Sequence, residues 1–358
     1  MRVLIAGGGT GGHLFPGIAL AEEVVGRHPK NDVVFVGTNR GLEARVVPQH
    51  GFVFEAVTSR GLKGMGLVKL VLGLLTIPLT FFSAVSLLRK YRPDVVVGVG
   101  GYSSGPVVLA AWLLRIPTGI QEQNALAGLT NRILGRFVDA VFVSFQAAIA
   151  SFPEQKCHVL GNPIRKEMLE NFLRPRVKAN ERFSLLVVGG SLGARGLNAR
   201  VIDAAPLLAE LKDTLRITHQ TGKADLEAVK AAYATAGLSA DVREFIDDMA
   251  AAYLDADLVV CRAGATTLAE LTICKKASLL VPFPFATDDH QAVNARALVD
   301  AGAAKMFREA ELTGALLAAE IRALKDDGKR LAAMEKAAAT WASPKPRGKS
   351  PTSCSNCV

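Results

Sequence analysis

Three times along this 358-residue chain, a short and wholly apolar run breaks into a cluster of glycines and then into a segment of helical period. Val3 to Ala6 leads into Gly7-Gly8-Gly9-Thr10-Gly11-Gly12, Val95 to Val99 into Gly100-Gly101-Tyr102-Ser103-Ser104-Gly105, and Leu185 to Val188 into Gly189-Gly190-Ser191-Leu192-Gly193-Ala194. A run without polar alternation suits a strand covered on both faces, as in a parallel sheet flanked by helices. Four more such runs, Val33 to Val36, Val141 to Val143, Leu258 to Val260 and Leu279 to Val281, alternate with helical segments, so the class is α/β. Strand, glycine turn and helix start together present bare N–H groups and the positive end of a helix dipole, which suits an anion. One such loop can be a tight turn and nothing more; three, divided between two halves of a chain, point to a ligand.

The length exceeds the roughly 100–200 residues of one domain, and 50% apolar against 21% charged residues is ample for folded cores. Texture changes at Gly161-Asn162-Pro163-Ile164-Arg165, where a charged stretch to Arg182 precedes a fresh strand. The expected division is therefore 1–162, 163–340 and a tail from 341 to 358. The first loop spells Gly7-x-Gly9-x-x-Gly12, the dinucleotide fingerprint, yet Val33 to Val36 runs into Gly37-Thr38-Asn39 without the acid that would hold a ribose. The lysine of a phosphate-binding P-loop is missing too, since His13 stands in its place. No cofactor is expected, and no metal.

The net charge of +9 allows an anionic partner, and its distribution narrows the choice. Between Ala56 and Pro93 stand Arg60, Lys63, Lys69, Arg89, Lys90 and Arg92 with no acid, flanking the uncharged stretch Leu70 to Leu88. Gly73 and Pro78 interrupt that stretch. A peripheral patch on anionic lipid is expected rather than a span, each basic residue near the surface contributing about 1 kcal/mol. Nucleic acid is not expected, because the basic run has few aromatics and no reader motif. Five cysteines form no disulfide framework, and no leader precedes Val3, so a cytoplasmic protein is expected.

The stretch Gly8 to Gly17, with Gly100 to Pro106, Glu122-Gln123-Asn124, Gly161 to Arg165 and Gly189 to Ala194, resembles the MurG family, bacterial enzymes that convert lipid I to lipid II in peptidoglycan synthesis. His219-Gln220-Thr221-Gly222 and Arg262 to Glu270 extend the resemblance, which covers roughly residues 1 to 338. It implies a GT-B glycosyltransferase, two Rossmann-like domains facing across a cleft. The reaction implied is inverting, metal-independent transfer of N-acetylglucosamine from UDP-GlcNAc to the MurNAc 4-hydroxyl of lipid I. The implied location is peripheral, on the cytoplasmic face of the bacterial inner membrane, with cell-wall synthesis proteins as possible partners. A diacylglycerol glycosyltransferase of the same superfamily and an inactive sugar-nucleotide- or lipid-binding protein are the alternatives.

Residue by residue, the resemblance and the chemistry together give these expectations. His13, in a glycine loop at a helix start, is the base that takes the acceptor's proton, with Glu122 in reserve. Ser191 and Gly190 receive the leaving diphosphate, Glu270 accepts from the ribose hydroxyls, and Arg165 meets a phosphate. Ala265 and Thr266 open the helix that carries Glu270. Ile246 matches the uracil-contacting position, and His290 and Gln291 match positions at the GlcNAc hydroxyls. Thr10, Gly11, Gly12 and Asn124 border the transferred sugar. Gly9, Gly101, Tyr102 and Ser103 lie in the loops expected to cradle the acceptor's pyrophosphate. Two departures stand out: Gln121 occupies a position where the family usually has His, and Ser343 to Pro351 carries three prolines where the family has a helix returning to the N-terminal domain. The tail reads as a misframed, disordered extension.

Overall fold

The computed structural model describes residues 1–39, 41–57, 67–172, 181–190 and 193–342. In chain order the first half comprises β1 (Arg2–Gly7), α1 (Gly11–Arg27), β2 (Asp32–Gly37), α2 (Glu43–Gln49), β3 (Val53–Ala56) and α3 (Leu67–Tyr91). It continues with β4 (Val95–Gly100), α4 (Ser104–Leu113), β5 (Thr118–Glu122), α5 (Leu129–Leu134), β6 (Ala140–Val143) and β7 (Cys157–Val159). The second half comprises α6 (Lys166–Phe172), β8 (Phe183–Val188), α7 (Arg195–Ala204), β9 (Leu215–Gln220), α8 (Leu226–Thr235), β10 (Ala240–Arg243), α9 (Met249–Asp255) and β11 (Leu258–Cys261). After it come α10 (Ala265–Ile273), β12 (Ala277–Leu280), α11 (His290–Asp300), β13 (Ala304–Met306), α12 (Gly314–Asp326) and α13 (Gly328–Ala342).

Two parallel sheets result, ordered β3-β2-β1-β4-β5-β6-β7 and β10-β9-β8-β11-β12-β13. The central strands are the apolar runs of the sequence. Val3, Leu4 and Ile5 pair with Val33, Val34 and Phe35 on one side and with Val95, Val96 and Val97 on the other, and all of these except the half-buried Val95 are buried. Helices cover both faces of each sheet, as continuous apolar strands require. Strand order reverses between β1 and β4 in the first sheet and between β8 and β11 in the second. Each reversal opens a crevice at the carboxyl ends of the strands, and the glycine loops after β1, β4 and β8 all lie at these switch points. This is the GT-B arrangement of two Rossmann-like units.

The halves are continuous in packing. Ala125 and Phe145 of the first half join a buried cluster with Met168, Ile246, Tyr253 and Leu268 of the second. The C-terminal helix runs to Ala342, and its Trp341 ring lies 5.4 Å from that of Phe145. Residues 341 and 342 are thus helical, and Trp341 takes part in the inter-domain contact rather than in the tail expected to begin there. The rest of that expectation, residues 343–358, lies outside the described residues.

Candidate active site

His13 sits in the first turn of α1, directly after the glycine loop. Its ring packs over Gly100, whose φ of +96° and missing Cβ are both required: a Cβ there would stand 2.7 Å from Nδ1. The neighbouring amide fixes the tautomer. Gln123 Nε2 donates to the Val99 carbonyl at 2.9 Å, and a carbonyl only accepts, so Gln123 turns its Oε1 toward His13 Nδ1 at 3.2 Å. Nδ1 therefore carries the hydrogen and Nε2 keeps its lone pair. Burial lowers the pKa of His13, opposed by the charge of Glu122 and the bond to Gln123.

Glu122, expected in reserve as a base, is committed to a different task. Its Oε1 accepts from the Asn124 N–H at 2.9 Å and from Asn124 Nδ2 at 3.3 Å. Its Oε2 accepts from the Gly128 N–H at 3.0 Å and from Asn131 Nδ2 at 2.9 Å. Four donors on one buried carboxylate shape the 124–128 loop and leave little capacity for a substrate proton. Gln121 ties the hinge by donating to Ser144 Oγ and to the Gly161 carbonyl, each at 3.2 Å.

Across the crevice, Glu270 projects from α10 with the Tyr253 hydroxyl donating to its Oε2 at 3.2 Å and Arg165 Nη2 at 3.9 Å from Oε1. Burial pushes its pKa up to about 7, against the pull of Arg165 and of the tyrosine bond. The Arg165 guanidinium lies 5.0 Å over the Phe15 ring of α1, so it touches both halves. Thr266 Oγ1 accepts from Asn162 Nδ2 of the hinge at 3.5 Å, next to Ala265 at the start of α10. The Ile246 N–H is bonded to Gln220 Oε1 at 2.8 Å, while Gln220 Nε2 holds the Gly190 carbonyl at 2.8 Å, which links the position expected at uracil to the third glycine loop. Ser191 lies outside the described residues. His290 Nδ1 donates to the Thr287 carbonyl at 2.7 Å, and Gln291 Oε1 accepts from the Phe283 N–H at 3.0 Å, which aims its amide nitrogen elsewhere.

The acceptor-side residues are only partly drawn together. Thr10, Gly11 and Gly12 open α1 beside His13, and Thr10 O accepts the His13 N–H at 3.2 Å. Gly101 presses on the first loop, a Cβ there falling 2.5 Å from Gly8 O, and Ser103 is buried. Tyr102 is 51% exposed. Gly9 gives its N–H to Glu43 Oε2 at 2.8 Å and so does not offer it to a ligand.

Sequence reading assigned no role to Gln123, Glu43, Tyr253 or Asn294. Asn294 is fully buried on α11: it accepts the Ala125 N–H at 2.8 Å through Oδ1, and its Nδ2 donates to Asn124 Oδ1 at 3.1 Å and to the Ala263 carbonyl at 3.4 Å. Its one available signal was its place four residues after His290, on the same helix face. Among the described residues no group of three or more His, Cys, Asp or Glu stands together to hold a metal ion.

Comparison with known proteins follows the same two-part plan. The model of the glycosyltransferase family 28 N-terminal domain matches residues 3–143, and that of the family's C-terminal domain matches 184–347. A transferase of Myxococcus xanthus (strain DK1622), named UDP-N-acetylglucosamine–N-acetylmuramyl-(pentapeptide) pyrophosphoryl-undecaprenol N-acetylglucosamine transferase, is 64% identical over 94% of this chain and 88% of its own. The transferase of the same name from Anaeromyxobacter sp. (strain Fw109-5) is 63% identical over 96% and 90%. The crystal structure of Acinetobacter baumannii MurG superposes with a TM-score of 0.76 at 35% identity, covering 96% of each chain.

Proposed function

We propose how this site works from one premise: the chain belongs to glycosyltransferase family 28 and, within it, to the MurG enzymes. It transfers N-acetylglucosamine from UDP-N-acetylglucosamine to the undecaprenyl-pyrophosphoryl-N-acetylmuramyl-pentapeptide, lipid I, and so makes lipid II. The acceptor's 4-hydroxyl attacks the anomeric carbon from the face opposite the nucleotide, the bond to the diphosphate oxygen breaks, and the configuration inverts. His13 Nε2 takes the hydroxyl proton as the new bond forms. The observation that carries this reading is the Val99–Gln123–His13 chain, which places the hydrogen on Nδ1 and the lone pair on Nε2.

On the donor side, Glu270 accepts from the two ribose hydroxyls, and Gln291 and His290 meet the hydroxyls of the sugar. Ile246 meets the uracil. Ser191, with Gly190, Ala265 and Thr266, lies along the diphosphate with Arg165. Backbone N–H groups at a glycine loop and a helix start receive the charge released on the leaving UDP, which is why the transfer is proposed to need no metal. Glu122 and Asn124 shape the wall beside the transferred sugar.

Attachment to the membrane is proposed to be peripheral. Among the described residues no helix is long and apolar enough to cross a bilayer. Leu79, Phe82, Trp112, Leu113, Leu129 and Ile133, on α3, α4 and α5, are exposed, with Arg115, Arg132 and Arg136 among them. Apolar side chains among basic ones suit an anionic lipid surface. The basic cluster foreseen in the sequence is altered: Lys90 is paired with Glu55 at 2.6 Å, and Arg60 and Lys63 lie outside the described residues.

The test is transfer from UDP-GlcNAc to a lipid I analogue, with diacylglycerol as the competing acceptor and excess chelator in a parallel reaction. Expected are a β-linked disaccharide product from the α-linked donor, unchanged turnover with chelator, and no product on diacylglycerol. Product on diacylglycerol alone, or retention of configuration, would overturn the reading.

A further inference from the structure

Beneath the first glycine loop lies a carboxylate that the transfer chemistry does not use. Glu43, the first residue of α2, is 1% exposed. Its Oε2 accepts the Gly9 N–H at 2.8 Å, and its Oε1 accepts both the Thr38 N–H at 3.0 Å and the Thr38 hydroxyl at 2.9 Å. The chain makes room for this group: a Cβ at Gly8 would fall 2.4 Å from the carboxyl carbon, and one at Gly41 would fall 2.0 Å from Oε2. The loop is thus built around the carboxylate.

Gly9 is the fourth residue before His13, and the intervening backbone is closed by Thr10 O, which accepts the N–H groups of His13 and Leu14 at 3.2 and 3.1 Å. Gly8 donates its own N–H to Gly100 O at 3.3 Å. Two of the loop's leading donors are therefore spent inside the protein, and one of them faces a negative charge. A phosphate brought to this end of the loop would lose the donors and meet the carboxylate at close range, a repulsion little screened in a buried setting.

We propose that Glu43 is a positioning residue for the transfer: it fixes the first glycine loop so that the loop holds His13 in place and does not itself serve as a phosphate cradle. The proposal rests on His13 being the base. The acceptor's pyrophosphate then depends on the loop after β4, Gly101 to Ser103.

The experiment compares Glu43→Ala and Glu43→Gln with the unmodified chain in the lipid I assay, alongside UDP titration by calorimetry. Glu43→Ala is expected to lower kcat at least tenfold per folded molecule while UDP affinity stays within twofold. Glu43→Gln is expected to restore much of the loss, because its amide oxygen still accepts from Gly9. The acceptor KM should hold within threefold in both. A rise in acceptor KM beyond threefold with kcat retained would make the loop a phosphate cradle and overturn the proposal. So would a Gln variant no better than the Ala variant, or a kcat loss that merely tracks the unfolded fraction. If the Ala variant does not fold, Thr38→Val frees one tether of the carboxylate, and kcat should fall two- to fivefold; unchanged turnover would count against Glu43. Exchange of the Gly9 amide proton, slow in the unmodified chain and at least tenfold faster in Glu43→Ala, reads the contact even if His13 proves not to be the base.

Discussion

The two sides of the crevice carry comparable titratable groups in opposite states of preparation. His13, on the first sheet's side, is oriented before any ligand arrives: Gln123 fixes its tautomer and burial holds it neutral. Glu270, on the second sheet's side, is buried with one tyrosine hydroxyl and a distant arginine, and burial holds it near neutrality too. Neutrality serves a base but not a group that must accept two hydroxyls. On the proposed roles, the difference teaches that one half is preorganised for proton transfer, while the other would become fully ionised only when substrate hydroxyls and the ion pair with Arg165 reward the charge.

The most severe way to break this comparison is to remove the proposed base. His13→Asn should lower kcat by about 10²–10⁴ while donor affinity holds, as expected for loss of general-base catalysis. Steady-state rates with calorimetric UDP binding would check it, and near-normal turnover would hand the proton to water. Next in size, Glu270→Ala should weaken UDP binding by roughly 10- to 100-fold, since hydrogen bonds to a charged group contribute about 1.5–3 kcal/mol. Unchanged affinity would show that the ribose lies elsewhere.

A smaller effect is expected at the orienting amide. Gln123→Leu should cost kcat about tenfold, because either His13 tautomer then becomes available, and should leave UDP affinity alone. The smallest is a pH effect that separates the two halves. If the ionised Glu270 holds the ribose, UDP affinity should rise about tenfold from pH 6 to pH 8, through its pKa of about 7. Glu270→Gln should flatten that part of the profile and leave only the titration of UDP itself. The stability signs are also opposed. Glu270's raised pKa means its contribution is greatest at low pH and declines as pH rises from the usual carboxylate range to about 7. His13's lowered pKa means its contribution is present at neutral pH and is lost as pH falls below its ordinary 6.5.

What could be read directly was whatever a single local pattern encodes. β1, β2, β4, β6, β8, β11 and β12 each carry an apolar run and were legible. The edge strands β3 and β13 were not, because one side of an edge strand faces water and Glu55 or Lys305 interrupts the run. β9 hid for a different reason. It carries His219, fully buried yet satisfied on both nitrogens: Nε2 donates to Asn198 Oδ1 at 3.1 Å and Nδ1 accepts the Tyr233 hydroxyl at 3.0 Å. Burial without a counter-charge takes its pKa down to about 3, and nothing in a linear pattern marks a polar residue whose partners lie 14 and 21 positions away.

The site divides along the same line. The glycine clusters and His13 were visible because strand, turn and helix start are contiguous in sequence, and Glu270 was visible through the resemblance of Arg262 to Glu270 to the family. Glu43 under the first loop, Gln123 beside His13 and Asn294 between the halves were decided only in three dimensions. Each acts through a bond to a residue at least 34 positions away. The reason is physical: the sequence determines which backbone groups are left bare at a strand end, whereas the packing of one sheet against its helices, and of one domain against the other, determines which buried side chain satisfies them.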